Sequence, residues 1–75
     1  MKLSTAIKSA DKVYAQVSVA EELVEIKVTK KQAQELVTGY LSVEMEEDGR
    51  ENFYTQFGTS IAFYDQETNR LYVGS

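Results

Sequence analysis

The sequence predicts a small α+β domain over residues 1–75, a mostly antiparallel sheet with one or two short helices on one face. Three observations carry this. A series of short segments alternates apolar and polar residues with the two-residue period of half-buried strands. One segment, 30–38, switches to the helical period between a capping signature and a glycine. At 75 residues, a single domain is the ceiling, and one that buries only about 60% of its unfolded surface.

Residues 3–11 fit two patterns. Leu3, Ile7, Ala10 and Tyr14 have helical spacing, whereas Leu3, Thr5 and Ile7 alternate like a strand; helix is the preferred reading. Residues 12–19 set Val13, Ala15, Val17 and Val19 on one face, with Tyr14, Gln16 and Ser18 on the other. Residues 23–29 repeat the alternation with Val24, Ile26 and Val28 inward, leaving 20–22 as the turn of a hairpin. Thr29 and Gln32 then form a capping box, with Val28 and Ala33 placed as a hydrophobic staple. Ala33, Leu36, Val37 and Tyr40 make the inward stripe of a helix over 30–38, which Gly39 would stop in a left-handed conformation.

Leu41, Val43 and Met45 alternate with acids in a third strand, followed by a turn at Glu47, Asp48 and Gly49 and a strand from Glu51 to Phe57. A three-residue loop, pairing Glu46 with Arg50 and Val43 with Phe53, is preferred over a two-residue loop because it keeps Phe53 and Phe57 on the Leu41/Val43/Met45 face. Residues 58–60 read as a bend or bulge. Strands 61–65 and 70–73 flank a four-residue loop in which Asn69 is left-handed. Pairing Asp65 with Arg70 leaves this last hairpin apolar on both sides, so that one side belongs to the core and the other needs a cover.

Composition excludes several activities. The chain has no Cys, His, Trp or Pro, which removes thiol nucleophiles, thiolate zinc sites, the usual general base and the commonest metal ligand. The dense acids alternate onto a solvent face or lie in a turn, not in a cleft that would tune them, so no enzyme and no cofactor is expected. Glu46, Glu47, Asp48 and Gly49 lack the ligand spacing of a calcium loop. The N-terminus begins like a signal peptide, but Lys8 interrupts the apolar core that such a peptide requires. No stretch reaches the ~20 apolar residues of a membrane span. The expected location is therefore cytoplasmic, with no membrane partner.

The net charge of −4 is regional: residues 1–38 carry six lysines and five acids, +1, whereas residues 39–75 carry two arginines and seven acids, −5. Seven of the eight aromatic residues lie in the acidic half. Stacking platforms for nucleic acid interleave their aromatics with Lys and Arg, so direct nucleic-acid binding is disfavoured.

Two features remain as candidate partner-binding sites. Glu44, Glu46, Glu47, Asp48 and Glu51 read either as a charged edge that blocks aggregation or as an anionic ridge for a basic groove on another protein. Hairpin 61–73 reads either as buried on both faces or as an interface anchored by Tyr64 and Tyr72, which Tyr54 would extend.

The opening Met1-Lys-Leu-Ser-Thr-Ala-Ile-Lys-Ser-Ala-Asp-Lys-Val-Tyr14, leading into a strand hairpin and a Lys-Lys-Gln-Ala helix, resembles the start of small orphan proteins encoded by bacteriophages. That resemblance implies a short, acidic, non-enzymatic protein that binds and disables a host factor. The functional expectation is an antagonist occupying a basic, nucleic-acid-handling surface of a host protein, and hence acting in the host cytoplasm. The alternative is a structural or virion accessory protein that forms a homodimer or larger assembly through hairpin 61–73.

Overall fold

The computed structural model describes residues 2–40, 45–47, 50–54 and 58–74, with the backbone alone at 40, 45–47, 50 and 51. The elements follow in the order α1 (Leu3–Ser9), β1 (Lys12–Val19), β2 (Glu22–Lys27), α2 (Lys30–Val37), β3 (Met45–Glu47), β4 (Arg50–Tyr54), β5 (Ser60–Asp65) and β6 (Arg70–Val73). The expected α+β class, a mostly antiparallel sheet with two short helices, is what forms. The six strands lie in one sheet in the order β2-β1-β6-β5-β4-β3. Every neighbouring pair is antiparallel except β1 and β6, which run parallel with Val13 beside Leu71 and Ala15 beside Val73.

Residues 3–9 take the helical alternative. Leu3, Ala6, Ile7 and Ala10 recur at i, i+3, i+4 and i+7 and are all buried. α2 starts on the expected capping box: the Gln32 amide donates to Thr29 Oγ1 at 3.1 Å, and the Thr29 amide donates to Gln32 Oε1 at 2.9 Å. Its end differs from expectation. Gly39 is not left-handed; the chain runs on as a 3-10 turn over Thr38–Tyr40, and the Thr38 hydroxyl donates back to the Gln34 carbonyl.

The core lies between the helices and one face of the sheet. Strand alternation and register put Val13, Ala15, Leu71, Val73, Ala62, Tyr64 and Phe53 on that face, where they join Leu3, Ala6, Ile7, Ala33 and Val37 in one buried cluster. The cluster stops at β1. Val24 and Ile26 of β2, expected inward, are 38% and 49% exposed, and Leu36 of α2 is 58% exposed. The reason is length: eight residues of helix span only about 12 Å, enough to cover β1 and β6 but not the strand beyond.

The loop before β4 also corrects an expectation. Glu47 pairs with Arg50, Glu46 with Glu51 and Met45 with Asn52, so the connection is the two-residue one, not the three-residue one. Phe53 takes its face from β5, where it lies opposite Ala62, and it is fully buried. Leu41–Glu44, Asp48–Gly49 and Thr55–Phe57 lie outside the described residues, so the expected apolar row of Leu41, Val43 and Phe57 is not addressed. The later expectations stand: Gly58 bends the chain at φ +85°, Asn69 is left-handed at φ +55°, and Asp65 pairs with Arg70. Among the described residues, no helix is long and apolar enough to cross a membrane.

Candidate binding face

A strand between two neighbours has both edges paired, so its surplus side chains can meet only above or below the sheet. β6 is such a strand, held by β1 on one side and β5 on the other. Its inward residues Leu71 and Val73 are fully buried, and the residue between them, Tyr72, therefore points to the opposite face. Register places Tyr14 of β1 and Phe63 of β5 on either side of Tyr72. The three rings form a ladder across the sheet: Tyr14 and Tyr72 have centroids 5.5 Å apart at 17°, and Tyr72 and Phe63 have centroids 5.9 Å apart at 26°. Pairs of this kind are worth about 0.5–1.5 kcal/mol beyond their buried area, so the ladder also stiffens the sheet.

Cations border the ladder. The Arg70 guanidinium carbon lies 5.9 Å from the Tyr14 ring centroid, within cation–π range. Side-chain hydrogen bonding with Tyr72 and the proximity of Tyr14 hold the Arg70 pKa above its ordinary value. Lys27 lies opposite Tyr14 and Lys12 opposite Arg70, while Asp65 and Glu25 occupy neighbouring register positions. The rings are half-buried, and among the described residues no helix lies over them. The result is an apolar strip with a polar, nearly charge-balanced border.

The expected site residues divide. Tyr72 lies at the centre of the ladder. Tyr64 does not belong to any surface: it is 6% exposed on the helix side, and its hydroxyl donates to Asn69 Oδ1. This corrects its reading as an interface anchor and makes it the brace of the β5–β6 loop. The physical reason is alternation, which sends Tyr64 and Tyr72 to opposite faces once Tyr64 pairs with Leu71. Tyr54 is half-buried near the end of β4, beyond a register shift that sets it opposite Ser60. Glu46, Glu47 and Glu51 fall on the backbone of β3 and β4 at one edge of the sheet, with Glu46 directly opposite Glu51. Glu44 and Asp48 lie outside the described residues. Among the described residues, no group of three or more acidic side chains is placed to hold a metal ion.

Tyr14 and Phe63 are the ladder residues that the site reading missed. Tyr14 alternates outward on its own strand, but the sequence carries no local signal that β1 runs beside β6. That pairing also sets Lys12 of the basic half opposite Arg70 and Tyr14 opposite Tyr72 of the acidic half, which the regional charge count had kept apart. No family model, curated protein or solved structure matches the chain.

Proposed function

We propose that this chain is a non-catalytic module that binds another protein through the open face of its sheet. The observation that carries the reading is the Tyr14–Tyr72–Phe63 ladder, a rigid aromatic strip on the face opposite the helices. Tyrosine brings large contact area at low entropic cost and is enriched at interface hot spots. The described charges beside the ladder nearly balance, which suits a protein surface better than a phosphate backbone. By register Glu46 and Glu51 take the parity of Tyr64, whereas Glu47 takes that of Tyr72 and lies three strand spacings across the sheet, roughly 14 Å, so a basic flank on a partner that covers the rings would meet Glu47. An antagonist that occupies a basic, nucleic-acid-handling surface of a host protein is the specific form of this reading. Self-assembly through hairpin 61–73 would have to use the same face, because β5 and β6 both have occupied edges.

The test is affinity capture from host extract with three chains side by side: the native protein, Tyr14→Ser with Tyr72→Ser, and Glu46→Lys with Glu47→Lys and Glu51→Lys. Loss of two hot-spot tyrosines is expected to weaken retention of a specific partner by roughly 30-fold or more, the equivalent of at least 2 kcal/mol. The charge reversal is expected to slow association and to remove its salt dependence. A partner held equally by the native chain and the tyrosine variant would end the proposal.

A further inference from the structure

The two edges of the sheet are built differently. β3, described over Met45–Glu47, carries Glu46 and Glu47, charges of the kind that discourage edge pairing. β2 is six residues long, every one of them exposed, and it runs beside β1 with no register shift. The chain contains no proline to blunt it.

The hairpin geometry fixes which backbone groups of β2 are unused by β1. Ala20 and Glu21 have φ of +51° and +67°, the two-residue type I′ turn, which makes Val19 and Glu22 a hydrogen-bonded pair. By alternation Val24 and Ile26 also bond to β1, and Leu23, Glu25 and Lys27 direct their N–H and C=O groups away from the sheet. On the helix side, Val24 and Ile26 stay 38% and 49% exposed, on the same face as Val19 at 56%.

We infer that β2 pairs antiparallel with β2 of a second copy across a two-fold axis, joining two sheets into one. A two-fold axis normal to the sheet keeps each side chain on its own face, so paired residues must have the same parity. Two central registers satisfy this. With the axis at Glu25, Leu23 pairs with Lys27 of the partner subunit and about six ladder hydrogen bonds form. Val24 then faces Ile26 of the partner subunit in the non-hydrogen-bonded sites, where side chains approach most closely. With the axis at Val24, only about four bonds form and Glu22 faces Ile26 of the partner subunit. The first register is therefore the one that assembles. Its cost is Glu25 meeting its own copy, partly offset because a Lys27 lies diagonal to each carboxylate at roughly 7 Å. A single strand-to-strand contact is at the small end of specific interfaces, the class of weak, transient association. The open faces of both copies stay uncovered.

Sedimentation equilibrium from about 10 μM to about 1 mM tests this, with a mass rising towards twice 8.5 kDa as the expected result. Ile26→Lys is expected to abolish the rise. Glu25→Thr, which removes the like-charge contact, is expected to tighten assembly several-fold and covers the case in which the lysine variant fails to fold. Because the native chain has no cysteine, register can be read by oxidising a mixture of Val24→Cys and Ile26→Cys chains: the mixed disulfide is expected to dominate. A monomer at 1 mM overturns the inference, as does assembly that ignores both β2 substitutions, assembly lost instead with Tyr72→Ser, or preferential Val24→Cys self-crosslinking.

Discussion

Gly74, the residue after β6, packs against the backbone of β1. Its φ is +101°, and a Cβ built there would lie 2.7 Å from the backbone oxygen of Gln16 in β1. Its amide donates to the Ile61 carbonyl of β5 at 2.8 Å, so it is held from both sides. Gly74→Ala therefore meets two penalties. A non-glycine residue in so sparsely populated a region costs about 1–3 kcal/mol. Relieving contact with a backbone atom, which has no rotamer to change, costs about 1–3 kcal/mol more. The sum, about 2–6 kcal/mol, is comparable with the roughly 4–11 kcal/mol that a domain of this size possesses. Urea unfolding followed by circular dichroism would read it: with a slope near 1 kcal/mol/M, the midpoint is expected to fall by about 2 M or more, or the variant to be unfolded without urea. A change below about 0.5 kcal/mol, the ordinary scatter of surface substitutions, would refute the parallel β1–β6 pairing on which the aromatic ladder depends.

Other substitutions test other parts of the fold. Replacing Ala20 and Glu21, both left-handed, with Asn and Gly is expected to stabilise the domain by about 1–2 kcal/mol, seen as a higher midpoint at unchanged slope; no gain would argue against the type I′ turn. Thr29→Ala removes the acceptor for the Gln32 amide and is expected to cost about 1 kcal/mol in thermal unfolding. Tyr64→Phe deletes the donor to Asn69 at a cost of about 1 kcal/mol and is expected to leave partner binding intact, which separates its role from that of Tyr72.

The local elements were legible because their signals are local. The Thr29/Gln32 capping box, the Asn69 loop and the alternation of residues 12–19 each specify structure within a few residues, and each forms as expected. The β4 loop was misjudged because its register was inferred from the short strand before it, whereas Phe53 answers to Ala62 of the strand after it. The candidate site was half legible. That hairpin 61–73 is apolar on both sides correctly marks a strand pair deep within a sheet, but Tyr64 and Tyr72 could not share a surface under the same register. Tyr14 escaped notice because parallel pairing between the first and last strands leaves no short-range pattern in the sequence.

The central claim is that the open face, not the helix side, receives a partner. Ring-proton resonances of Tyr14, Phe63 and Tyr72, followed while a captured partner is titrated in, test it most directly. The expected result is that these three rings show the largest shifts and lose solvent accessibility together. Unchanged rings, with the shifts concentrated instead on α1 and α2, would contradict it.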